Sequence, residues 1–268
     1  MSPAAFRSKS KFGTWLCLAL TAVLPCVASC EASRGASSYA SPPPRPPPRL
    51  WLHPTSSQWK RAAAELDRLR SDADSAYVVS VRTSLREPKT HRIIDGRGAV
   101  AVVPGQAMRM ILVGPAGATA LDAWITPTQW RVAVPPLELV RRGGMQEPED
   151  LPIGFWRWWF LTPLQGTLFA AAMTDAGSLL LVRAGDAVVE LTVGSCGAGQ
   201  RLAASRRVKG RTERVDECRG HGVPGAGDSA HYVDEASGLE VDVVVEAASG
   251  VSPPPAALRD PDGQGVDQ

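Results

Sequence analysis

Gly98-Ala99-Val100-Ala101-Val102-Val103-Pro104-Gly105-Gln106-Ala107-Met108-Arg109-Met110-Ile111-Leu112-Val113-Gly114-Pro115 decides the fold. Two short apolar runs are parted by Pro104-Gly105 and closed by Gly114-Pro115, so each is a strand bounded by a turn. In the second run Met108, Met110 and Leu112 share one face and Arg109 takes the other, the two-residue period of a pleated strand. Upstream, Tyr77, Val79, Val81 and Leu85 alternate with Ser80, Arg82 and Ser84. Downstream, 119–126 and 129–134 give a fourth and fifth strand around Pro127-Thr128. Loops of a few residues pair consecutive strands antiparallel and leave no room for the helical crossovers that a parallel sheet needs.

The same alternation resumes later in the chain. Residues 167–174, 178–183 and 187–193 read as strands joined by tight turns, with 202–208 and 212–217 as a further pair around Lys209-Gly210. Leu239, Val241, Val243 and Val245 alternate with Glu240, Asp242 and Glu246, and Tyr232-Val233 supplies their hairpin partner. The glycine-rich stretch 221–231 reads as a loop, as does the polar stretch from Arg141-Arg142-Gly143-Gly144 to Pro152. Two segments break the pattern. Behind the capping residues Thr55-Ser56-Ser57, the residues Trp59, Ala62, Ala63, Leu66 and Leu69 fall on one face of an amphipathic helix. Between Pro152 and Pro163, Gly154-Phe155-Trp156-Arg157-Trp158-Trp159-Phe160-Leu161 fits a short helix that is apolar almost all round. Such a helix either fills a core or lines and closes an apolar cavity. The expected fold is therefore mainly β: an antiparallel curled sheet or open half-barrel, covered by an N-terminal helix and a central aromatic helix.

The ends of the chain are of different composition. Arg7, Lys9 and Lys11 precede an uncharged run from Phe12 to Val27, which is the layout of an export signal. Its last residues, Val27-Ala28-Ser29-Cys30, resemble the lipobox of bacterial lipoproteins. That resemblance implies cleavage after residue 29, acylation (palmitate among the chains) of Cys30, and attachment to a membrane. Residues 30–52 then form a proline-rich spacer, 53–247 the β domain, and 248–268 a Pro-, Gly- and Asp-rich disordered tail. Glu31 stands where an aspartate marks inner-membrane retention in enteric bacteria, which points to an outer-membrane lipoprotein facing the periplasm. Of the five cysteines, Cys17 and Cys26 leave with the signal, and Cys196 and Cys218 remain as a pair. A disulfide is the simplest reading in an oxidising compartment. A zinc site with His221 and His231, or two free thiols, are the alternatives.

The order of elements from Gly98 to Pro104, through Met108-Arg109-Met110-Ile111-Leu112-Val113-Gly114-Pro115 to Asp122-Ala123-Trp124-Ile125 and Trp130-Arg131-Val132-Ala133-Val134-Pro135, resembles the lipoprotein carrier and receptor superfamily of the Gram-negative envelope, LolA/LolB-like proteins. The resemblance implies a concave apolar surface that holds acyl chains beneath helices. Its candidate lining here is Met108, Met110, Leu112, Trp124, Trp130, Phe155, Trp156, Trp158, Trp159 and Phe160. Arg109 would pair with a lid residue or a ligand head group, or face water. The alternative is a structural or interaction lipoprotein with a solid barrel and no ligand.

Other function classes find little support. Net charge is +2 with both signs mixed along the chain, so no basic stripe marks a nucleic-acid partner. The chain has no nucleophile elbow, phosphate-binding glycine loop or metal-ligand spacing; the expectation is a non-enzyme with no cofactor and no metal. Its expected partners are a membrane and an acyl chain or lipoprotein, with the oligomeric state open.

Overall fold

The structure, a computed structural model, describes residues 51–263 apart from 149, 175, 176, 221, 222 and 250. The expected export signal, Cys30 and most of the expected spacer lie outside the described residues. The chain begins with helix α1 (Ser57–Ala73), then runs through six strands: β1 (Tyr77–Arg86), β2 (Ile93–Val103), β3 (Ala107–Val113), β4 (Thr119–Ile125), β5 (Trp130–Val134) and β6 (Leu139–Gly143). A helical segment at 153–161 follows. Seven more strands complete the domain: β7 (Thr167–Thr174), β8 (Gly177–Ala184), β9 (Ala187–Cys196), β10 (Gly199–Val208), β11 (Arg211–Arg219), β12 (Ser229–Asp234) and β13 (Leu239–Ser249).

All thirteen strands belong to one sheet in the order β6-β5-β4-β3-β2-β1-β13-β12-β11-β10-β9-β8-β7. Each strand is antiparallel to its neighbours, and each neighbour is also next in sequence except where β1 meets β13. The sheet curls into an open barrel whose free edges are β6 and β7. The meander thus breaks where the aromatic segment interrupts it, and the pairing of the first and last strands, β1 and β13, joins the two halves. β2 and β3 lie close enough that a Cβ at Gly98 would stand 1.8 Å from the Ile111 carbonyl oxygen, so only glycine fits there.

Helix α1 forms where the sequence places it. The Ser56 hydroxyl accepts a hydrogen bond from the Trp59 N–H at 3.1 Å, and Ala62, Leu66 and Leu69 are buried against the sheet. At its far end Arg70 donates to the carbonyls of Leu164 (2.9 Å) and Gly166 (2.6 Å), tying the helix to the connection into β7. The cysteine pair is a disulfide with Cα atoms 6.0 Å apart, closing a loop with a separation of 22 residues. In the chain-entropy view such a loop stabilises by about 3 kcal/mol.

Three regions differ from the sequence expectation. Leu139–Gly143, part of which reads as a loop, is the edge strand β6, paired with β5. His231, assigned to a loop, lies in β12, where its ring Nδ1 is 2.7 Å from the Asp242 carboxylate. Residues 251–263, read as part of a disordered tail, lie against the outer face of β3 to β6. There the Trp124 indole donates to the Leu258 carbonyl at 2.8 Å, Arg131 pairs with Asp262 at 3.0 Å, and Arg142 pairs with Asp260 at 2.7 Å. Proline and aspartate cannot build a core, but they can bridge a row of arginines on a sheet that is already folded.

Candidate functional site: an aromatic plug in an open barrel

The inner wall of the barrel is apolar on most strands. Val79 and Val81, Val100 and Val102, Met108, Met110 and Leu112, Leu121, Ala123 and Ile125, and Leu239 to Val245 at alternate positions all join one core cluster. Into this cluster projects the segment 153–161. Ile153–Phe155 forms one α-helical turn, and Trp156–Leu161 winds more widely as a π-helix, with the Thr162 N–H donating to the Arg157 carbonyl at 2.9 Å. Phe155 and Trp156 are fully buried. Phe155 stacks on Tyr232 with ring centroids 4.6 Å apart and meets Phe160 edge-on at 5.4 Å. Trp158 and Trp159 meet edge-on at 5.3 Å. The segment therefore fills the barrel as a plug from the side of the β6/β7 gap.

Of the ten candidate lining residues, nine face this interior: Met108, Met110, Leu112, Trp130, Phe155, Trp156, Trp158 and Trp159 belong to the buried cluster, and Phe160 packs against it half-buried. Trp124 is a correction. In β4 it is Leu121, Ala123 and Ile125 that point inward, which turns Asp122 and Trp124 to the outer face. Trp124 is buried there because residues 251–263 cover it. Arg109 also lies on that outer face, in a two-pronged pair with Asp122 at 3.1 and 3.2 Å, and meets no lid residue.

Polar groups hold the plug at its entry. Buried Arg157 donates to three main-chain carbonyls, Gly144 (2.7 Å), Met145 (2.9 Å) and Thr126 (3.2 Å), and burial depresses the pKa of its guanidinium. Beneath Gly154 lie the carboxylates of Glu147 and Glu213; a Cβ at residue 154 would stand 2.7 Å from each. Arg206 bridges these carboxylates at 3.2 and 2.6 Å, Tyr232 donates to Glu213 at 3.0 Å, and Arg211 pairs with Asp234 at 2.8 Å. Burial pushes the Glu213 carboxyl above the ordinary glutamate range, with Arg206 pulling it back. The sequence reading missed this cluster. Glu213, Val215 and Glu217 alternate on the inner face of β11, yet in sequence they sit among polar residues on both sides, so no apolar period marks which face is inside.

A cavity of about 20 Å³, room for one water-sized group, lies beside Trp159 and Phe160. Among the described residues, no group of three or more His, Cys, Asp or Glu side chains could hold a metal ion.

An open antiparallel barrel with an internal helical segment is the LolA-like class of fold. A LolA superfamily protein from Nitrosomonas europaea is similar in structure, with a TM-score of 0.52, 12% identity, and coverage of 74% of this chain and 97% of that one. A domain described as an outer membrane lipoprotein-sorting protein from Vibrio parahaemolyticus matches at a TM-score of 0.41, 7% identity, and coverage of 70% and 90%. At 12% identity the first likeness is one of fold alone. No sequence family model and no curated protein matches the chain.

Proposed function

We propose that the chain is a non-catalytic, lipid-anchored protein of the bacterial envelope whose barrel takes the acyl chain of a lipid or lipoprotein. The observation that carries this reading is the plug. The barrel interior holds a separate segment that connects the two edge strands β6 and β7, with Phe155 and Trp156 fully buried in the core cluster. An acyl chain that takes the place of these two side chains meets a wall of Met108, Met110 and aliphatic residues, which adapt readily to a flexible guest. The anchor rests on Val27-Ala28-Ser29-Cys30, and the outer membrane on Glu31. The solid-barrel alternative is favoured by the full burial of Phe155 and Trp156.

Two experiments test the proposal. The full chain is expected to take up cis-parinaric acid with a saturable rise in fluorescence and to retain phospholipid through native mass spectrometry. Failure of both overturns acyl binding and leaves the solid barrel. Replacing Cys30 with Ala is expected to move the protein from the membrane fraction to the soluble fraction. Retention in the membrane overturns the lipid anchor.

A further inference from the structure

Strand β11 turns two glutamates into the barrel, and their surroundings differ. Glu213, under the start of the plug, is matched by Arg206, Arg211 and the Tyr232 hydroxyl. Glu217, at the far end of the plug, has a single cation and one oxygen left over. Its residue is 5% exposed, its nearest cation is Arg219 with Nη1 at 3.6 Å from Oε1, and its Oε2 is buried without a hydrogen-bond partner. A buried carboxylate oxygen left in this way is costly, so a missing donor is the economical explanation. Glu217 lines the small cavity together with Asp72, Tyr77, Trp159, Phe160 and Arg219. Asp72 accepts from Arg68 at 2.9 Å on its other side. The walls are thus three aromatic side chains, two carboxylates and the Arg219 guanidinium, completed by Pro163, Val223 and Pro224; aromatic rings beside carboxylates suit an ammonium group. Hydrogen bonding narrows the choice. The Glu217 Oε2 lacks a donor, which a primary ammonium supplies and a trimethylammonium cannot. A metal ion would want more hard ligands than the single unmet oxygen provides.

We propose that this cavity is a subsite for a primary ammonium, that of an ethanolamine-type phospholipid head group, seated on Glu217 between Tyr77 and the Trp159–Phe160 end of the plug. The inference rests on the acyl-binding reading for the rest of the lipid: the head group sits at the Trp159 end while the chain replaces the Phe155 and Trp156 side chains.

The test titrates the full chain with soluble dihexanoyl-phosphatidylethanolamine, with its phosphatidylcholine counterpart and with phosphoethanolamine, following tryptophan fluorescence and calorimetry. The ethanolamine lipid is expected to bind about tenfold more tightly than the choline lipid, the worth of one charge-assisted hydrogen bond. Glu217→Gln is expected to bring that ratio down to about twofold or less while the protein stays folded by thermal melting. Asp72→Asn, at a more exposed position, is expected to lower the ratio by a smaller factor and guards against a folding defect in the first variant. Equal binding of the two lipids, or a preference that survives Glu217→Gln, overturns the subsite. Parinaric acid uptake with no head-group preference overturns this inference alone. Phosphoethanolamine binding without parinaric uptake overturns the acyl reading and the lipid as source, and leaves a site for a soluble amine.

Discussion

Trp156→Ala is expected to destabilise the domain by about 3–5 kcal/mol, the range for removing a large aromatic side chain from a packed core. Trp156 is 1% exposed and lies where the plug meets the inner wall. Its indole N–H is buried without an acceptor, so the substitution breaks no hydrogen bond and the loss is one of packing alone. For a domain of this size about 1 kcal/mol corresponds to 2–4 °C in melting temperature, so the midpoint is expected to fall by about 6–20 °C. The void left behind is apolar and stays dry, and an apolar void admits an apolar guest. Trp156→Ala is therefore also expected to take up parinaric acid more readily than the wild type and to regain part of its stability when the probe is bound. A fall of under about 2 °C would mean that the aromatic segment does not pack inside the barrel.

Arg206→Ala is expected to cost about 3 kcal/mol or more at neutral pH, because it strips the nearest cation from a carboxylate with no exposure to water. The sign of the pH dependence follows from burial. The Glu213 carboxyl already titrates above the ordinary glutamate range in the folded protein, and losing Arg206 raises it further. A raised folded-state pKa contributes stability that is fully present below the unfolded value and lost as pH climbs through the folded value. The penalty of Arg206→Ala is therefore expected to be larger at pH 8 than at pH 5, measured by urea unfolding. The double variant Arg206→Ala with Glu213→Gln should recover much of the loss and flatten the pH dependence. A penalty independent of pH, or no rescue, would show that Arg206 acts through its packed stem and not through its charge.

These two positions also mark where reading the sequence works and where it stops. Tyr77 to Leu85, Met108 to Leu112 and Leu239 to Val245 give up both their strand character and their inward face, because apolar and polar residues alternate there. The short turns between them dictate antiparallel neighbours, and the aromatic density of 155–160 dictates burial. The Cys196–Cys218 pairing follows from counting cysteines.

Other features depend on what arrives from far along the chain. Trp124 is buried on the outside of the sheet because Leu258 and its neighbours, more than a hundred residues later, cover it. In a strand buried on both faces, identity no longer tells in from out, and only the neighbours' parity does. The plug meets carboxylates from β11 and an arginine from β10 that no local pattern connects to it. Glu213 and Glu217 show the limit best. Two residues of one type, four positions apart on one face of one strand, end up one matched by cations and the other with an unmet oxygen beside a cavity. The sequence by itself determined the meander, the helix and the aromatic interruption, because these follow from local period and turn chemistry. The tertiary structure alone decided which charges are matched, because a buried charge takes its energy from whatever the fold brings within a few ångströms.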